Sequence, residues 1–189
     1  MTTIVTTTGN NFCTLSADQG ITSDLIHPDM PKIVKQGTWL IGVAGNARVC
    51  DQLQYSIEYP KPPAELLKKP QQDWYGWIVT KVVPLMADTI KDSEMEAEAF
   101  LITHSKAFLI GENFSVLSAN PYWAIGTGAD LALGSLADKP YQHDWYKDHD
   151  LAALRAMETA SMHDPNTRGT IDQYRSYGDG KVIQRTNGV

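Results

Sequence analysis

The hydrophobic and hydroxyl-bearing run Thr3 to Thr8, rich in Thr, Ile and Val, predicts a strand, Gly9-Asn10-Asn11 is a turn signal, and Phe12 to Ala17 resumes the extended pattern. Asp18 to Pro31 is polar, and Pro28 and Pro31 exclude a regular helix there. Lys32 to Lys35 and Thr38 to Ala44 predict a second strand pair that turns at Gln36-Gly37. The period then changes. Val49, Leu53 and Ile57 share one face of a helix expected over Ala47 to Tyr59. Trp74 to Ile90 has helical spacing again, with Pro84 placed to kink or break it. Short β-type runs follow at Ala99 to Thr103, Ala107 to Ile110, Ser115 to Leu117 and Trp123 to Ile125, with a hairpin at Gly111-Glu112-Asn113. Ala129 to Ala137 and Leu151 to Met162 read as helices, the second with Asp150 as its N-cap. Strands at Ile171 to Arg175 and Lys181 to Arg185, joined by Tyr177-Gly178-Asp179-Gly180, close the chain. The order is strands, two helices, strands, two helices, strands, which points to an α+β arrangement rather than alternating βαβ units.

The 189 residues suit one domain, 1–189, and Pro60 to Gln72, with four prolines, is the plausible insertion or linker. With 42% hydrophobic and 20% charged residues the composition is that of an ordinary globular protein. The net charge of −6 and the scatter of the sixteen Lys and Arg argue against nucleic acid as a partner, because phosphate binding needs a focused basic face. No apolar run approaches the roughly 20 residues of a membrane span. The start MTTIVTTTGNN has neither the basic opening nor the apolar stretch of a signal peptide, so a cytoplasmic location is expected. Cys13 and Cys50 are too few for a disulfide framework and read as buried free thiols.

The candidate chemistry lies at the beginning of the chain. A hydroxyl is a poor nucleophile until a base takes its proton, and a free α-amine, whose ordinary pKa is about 7.7–8.0, is such a base near neutrality. Met1 followed by Thr2 meets the requirement, because Met is normally trimmed before so small a residue. Five further segments accompany it: Ser16-Ala17-Asp18 with Thr22, Pro31-Lys32-Ile33, Gly42-Val43-Ala44-Gly45, and later Gly126-Thr127-Gly128 followed by His163-Asp164-Pro165-Asn166-Thr167. Together, in this order from residue 2 to about 185, they resemble the proteasome β-subunits and the bacterial HslV-type peptidases of the N-terminal nucleophile hydrolase superfamily. Thr127 and Thr167 stand where that family usually has Ser, Arg168 stands where it often has Gly, and Lys32 lies slightly closer to the Thr than usual.

The resemblance implies a four-layer αββα sandwich and a threonine-type endopeptidase that needs no cofactor or metal. Thr2 would be the nucleophile, Asp18 and Lys32 an ion pair beside it, Gly45 the amide donor to the oxyanion, and Thr127, Asp164 and Thr167 the groups that orient the amine. Ile21, Met30 and Val43 would line the pocket for the residue before the cleaved bond, favouring medium-sized apolar side chains. The extended peptide would pair with backbone near Thr22 and Ala47. Assembly into a homo-oligomeric ring is also implied, with protein or peptide substrates and an ATPase unfoldase as feeding partner, since this chain has no Walker-type loop.

Other readings stand beside this one. The same fold serves as a catalytically silent structural or assembly subunit if Met1 stays in place and blocks the amine, or as an amidohydrolase acting on small amides. Gly126-Thr127-Gly128 lacks the third glycine and the βαβ surroundings of a nucleotide loop. The run His143, Asp144, Asp148, His149, Asp150 matches no standard metal-ligand spacing and reads as a solvated lead into a helix. Trp74, Tyr75 and Trp77 read as helix packing, in the core or between subunits.

Overall fold

The computed structural model describes residues 2–20, 31–91, 95–137 and 148–185. Among the described residues there are ten strands: β1 (Thr3–Thr8), β2 (Phe12–Asp18), β3 (Ile33–Gln36), β4 (Trp39–Gly45), β5 (Ala97–Thr103), β6 (Lys106–Ile110), β7 (Val116–Ser118), β8 (Tyr122–Gly126), β9 (Ile171–Tyr177) and β10 (Val182–Arg185). They form two antiparallel five-stranded sheets, ordered β10-β9-β2-β1-β8 and β3-β4-β5-β6-β7. The helices are α1 (Ala47–Tyr55), α2 (Gln71–Trp77), α3 (Val83–Ile90), α4 (Ala129–Ala137) and α5 (His149–His163). No helix among the described residues is long and apolar enough to cross a membrane.

Side-chain alternation along the strands divides the apolar residues into three clusters. Trp39, Ile41 and Val43 of β4 pack with Val49 and Leu53 of α1, Trp74 of α2, and Met86 and Ile90 of α3. The intervening Leu40 and Ala44 face the other sheet and meet Ile4, Cys13, Leu15 and Ile125, together with Phe100 and Ile102. Val5, one residue on from Ile4, points the opposite way and packs with Ala124, Ala132, Leu136, Ala153, Ala156 and Met157. A one-residue slip of β1 would therefore exchange two buried faces at once. The β1–β2 register, Ile4 opposite Ala17 and Thr8 opposite Cys13, is pinned by the turn in which the Gly9 amide donates to the Phe12 carbonyl at 2.9 Å.

Local departures from the periodicity have physical causes. Helix α1 stops at Tyr55 rather than Tyr59: Ile57 and Tyr59 still bury, but as irregular chain, with the Tyr59 hydroxyl donating to the Leu53 carbonyl at 2.9 Å. The proline-rich segment is fastened to the core. Leu66 is buried with the helices, and Trp39 Nε1 donates to the Pro60 carbonyl at 3.0 Å. Pro84 stands in the first turn of α3, immediately after the regular helix is interrupted. A π-helical turn, Ile78–Val82, joins α2 to α3, and the Val83 amide reaches back to the Ile78 carbonyl. Proline has no amide and crowds the carbonyl four residues before it, and the wider turn absorbs that mismatch. Trp74 is wholly buried and stands edge-on to Trp77, which stacks on Trp39 with ring centroids 6.1 Å apart. Trp74 belongs to the core, and Tyr75 and Trp77, partly buried, pack against it.

At the start of α5 the N-cap is Asp148, whose side chain accepts from the Leu151 amide at 3.2 Å, and not Asp150. Asp150 is buried instead. It accepts from Thr14 Oγ1 at 2.6 Å, from Arg185 at 2.7 Å and from Arg175, and so ties α5 to β2, β9 and β10. His143 and Asp144 of the same run lie outside the described residues.

Candidate active site

Strand β1 begins where β2 ends, because the hairpin pairs Ile4 with Ala17. That places Thr2 beside Asp18 although the sequence separates them by sixteen residues. Both are buried, with Asp18 only 1% exposed. The Thr2 hydroxyl donates to Asp18 Oδ1, and the Thr3 amide donates to the same oxygen at 2.7 Å. Asp18 Oδ2 faces Lys32 Nζ at 2.9 Å and also receives the amides of Gly20 at 3.2 Å and Arg168 at 3.5 Å. Lys32 donates further to the Gly20 carbonyl. A buried carboxylate thus has a cation and several amides as partners, which is the condition for burying charge without a prohibitive cost. Burial lowers the Lys32 pKa, and the Asp18 charge opposes that shift without cancelling it.

A second polar cluster meets Thr2 from the other side. Asp164 Oδ2 accepts from Thr127 Oγ1 at 2.6 Å and Thr167 Oγ1 at 2.8 Å, while Oδ1 accepts from the Asn166 amide at 3.0 Å. Burial alone would push the Asp164 carboxyl up, but these hydrogen bonds outweigh it and hold the pKa below the ordinary value. The Thr127 amide donates to the Thr2 carbonyl at 2.9 Å. The Thr167 hydroxyl lies 2.5 Å from that of Thr3, which also accepts the Gly128 amide at 3.0 Å. Two glycines are required by geometry here. Gly126, at φ +92, passes so close that a Cβ would collide with the Thr2 carbonyl oxygen. Gly45, at φ +145, would drive a Cβ to 2.5 Å from Ala97 Cα. At 168, where the sequence carries Arg, the chain does not need a left-handed residue; Gly169 takes that conformation at φ +81.

Beside Thr2 opens a cavity of about 200 Å³, lined by Gly20, Pro31, Lys32, Val43, Gly45, Ala47, Cys50, Asp51 and Gln54 as well as Thr2 itself. Of the residues expected in the substrate pocket, Val43 and Ala47 are on its wall. Ile21, Thr22 and Met30 lie outside the described residues. Sequence reasoning missed Cys50, Asp51 and Gln54, although the signal was present. With Ala47 they have the i, i+3, i+4, i+7 spacing of one face of α1, adjoining the stripe of Val49 and Leu53 that enters the core. Gln54 is fixed there, its Nε2 donating to the Lys32 carbonyl at 2.8 Å. Cys50 is half-buried rather than buried, and desolvation first, with Asp51 second, pushes its thiol up to about 11. Cys13, fully buried between the sheets, is pushed up to about 12. No group of three or more His, Cys, Asp or Glu side chains suited to a metal ion occurs among the described residues.

No protein-family model matches the chain. No curated protein sequence matches it either. Solved structures do match. BPH of Thiobacillus denitrificans in complex with epoxomicin superposes with a TM-score of 0.69 at 12% identity, over 93% of this chain and 98% of that one. A second structure of BPH from the same organism gives a TM-score of 0.64 at 12% identity, covering 93% and 97%. The eukaryotic HslV of Trypanosoma brucei gives 0.62 at 16% identity, covering 92% and 98%. The chain has the fold of these HslV-type, proteasome-like proteins over most of its length.

Proposed function

We propose that this chain is a threonine-type endopeptidase with an αββα sandwich fold, using Thr2 as nucleophile once Met1 is removed. The observation that carries the reading is the hydroxyl of Thr2 hydrogen-bonded to Asp18, which in turn holds Lys32, at the edge of a side-chain-sized cavity. The three apolar clusters support the layer order of helices, sheet, sheet and helices. The likeness to the HslV-type structures supports the same fold from outside the chain.

In the proposed reaction, the free amine of Thr2 takes the hydroxyl proton as Oγ1 attacks the peptide carbonyl carbon. Lys32, which shares Asp18 and the cavity wall with Thr2, stabilises the developing alkoxide and, as a like charge, keeps the amine neutral. The negative charge that moves onto the carbonyl oxygen is met by the Gly45 amide, a contribution of about 2.7–4 kcal/mol for donors of this kind. The amine then gives its proton to the leaving nitrogen, the C–N bond breaks, and an ester on Thr2 remains. Water, deprotonated by the same amine, attacks that ester, and its cleavage returns the hydroxyl. Asp164, Thr127 and Thr167 orient the Thr2–Thr3 backbone and hence the amine. The substrate is an extended peptide held near Thr22 and Ala47. The assembly proposed is a homo-oligomeric ring whose nucleophiles face an interior chamber, fed by an ATPase unfoldase.

Thr2→Ala tests the reading. It removes one hydroxyl and little packing, so the purified variant should remain folded and cleave no peptide. Undiminished cleavage by that variant would place the nucleophile elsewhere. A parent protein that retains Met1 in its intact mass and cleaves nothing would instead favour the silent structural subunit.

A further inference from the structure

The cavity beside Thr2 is too small for a drug-sized ligand, for which about 300–1,000 Å³ is usual, and at about 200 Å³ it suits one side chain. Its wall is mixed. Pro31, Val43 and Ala47 are apolar, while α1 adds Cys50, Asp51 and Gln54 from a single face. These polar groups differ in what they have left to offer. The amide of Gln54 is committed to the Lys32 carbonyl. The Cys50 thiol stays neutral, since burial raises its pKa. Lys32 is held by Asp18 and by the Gly20 carbonyl. Asp51 forms no side-chain hydrogen bond or ion pair with the described residues, and it lies on the exposed side of α1 at the cavity wall. Asp18 and Lys32 are paired with each other, so among the described residues that line the cavity Asp51 is the carboxylate without such a partner.

Building on the peptidase reading, we infer that Asp51 makes this cavity a receptor for a basic side chain, lysine or arginine, of the peptide residue preceding the cleaved bond. The chemistry matches along the whole side chain. An aliphatic stem covers Val43, Ala47 and Pro31, and a cationic head reaches the carboxylate. Arginine, with its planar fork of donors, gains most from a carboxylate partner. An acidic side chain would meet Asp51 as a like charge and is disfavoured. An apolar preference alone, as expected from the wall residue Val43, accounts for the stem but not for the Asp51 carboxylate beside it.

The test uses the assembled protein with Thr2 exposed and a series of fluorogenic peptides that differ only in that residue: Arg, Lys, Leu or Glu. The expected order of kcat/KM is Arg and Lys above Leu, with Glu lowest. In Asp51→Asn the ratio of the Arg to the Leu substrate should fall about tenfold, the size of a single screened charge contact in a substrate pocket. Asp51→Glu should keep a basic preference because it keeps the charge. A parent enzyme that prefers Leu, or an Arg-to-Leu ratio unchanged in Asp51→Asn, would overturn the assignment of Asp51 and leave the peptidase reading intact. Absence of cleavage of every peptide in the series would overturn both together.

Discussion

Lys32→Met removes one charge at nearly constant volume and isolates the electrostatics of the pair. Lys32 Nζ stands 2.9 Å from Asp18 Oδ2, a gross attraction of about 6 kcal/mol at an effective dielectric of about 20. Desolvation takes back much of this, as the net lowering of the Lys32 pKa by burial shows. The intact pair therefore adds little to stability, but removing only the cation strands a carboxylate that is 1% exposed. Loss of one partner from a buried pair costs about 3–5 kcal/mol, and the lower end applies here because the amides of Thr3 and Gly20 still reach Asp18. Urea unfolding at neutral pH should show a loss of about 3 kcal/mol, and peptide cleavage should fall at least about 100-fold, as when a transition-state charge partner is removed. Asp18→Asn in the same chain should absorb most of the stability loss, because no stranded charge remains, and the double-mutant cycle would read that coupling. A loss under about 1 kcal/mol with parental turnover would refute the reasoning and class the pair with surface ion pairs.

Two further outcomes follow from the same geometry. Asp164 has a folded pKa below its unfolded one, so its contribution is present above about pH 4 and is lost as pH falls through the folded value; Asp164→Asn should lower stability at pH 7 by about 1–3 kcal/mol for the broken hydrogen bonds and flatten the acid limb of the urea-midpoint profile, and an unchanged acid limb would contradict this. Sedimentation should report a multiple of the 20.9 kDa subunit, and a strictly monomeric species at micromolar concentration would remove the ring from the proposal.

What could be read from the sequence was whatever short-range pattern decides. The β1–β2 hairpin follows from two runs rich in β-forming residues and a Gly-Asn-Asn turn, and it brings Thr2 to Asp18. The run Asp148-His149-Asp150 illustrates the opposite case. Either acid is a competent N-cap, and the choice is made by Arg175 and Arg185, more than twenty residues on, which claim Asp150 for an ion-pair network. Pro84 announced a disturbance, but its form as a π turn depends on keeping both Trp74 and Met86 in one core. The place of Trp74 in the core depends on partners far off in the chain, since Trp39 of β4 stacks on Trp77. The cavity face of α1 was legible as spacing, yet its meaning required Thr2 and Lys32 to be placed opposite it.

The proposal that Thr2, with its amine free, is the nucleophile is tested most directly by mass measurement of the purified protein before and after exposure to an electrophile directed at N-terminal threonine. The account predicts an intact mass lacking Met1, a single adduct per subunit that maps to Thr2, and no adduct in Thr2→Ala. A protein that has lost Met1, cleaves peptides and forms its adduct at another residue, or forms it equally in Thr2→Ala, would contradict it.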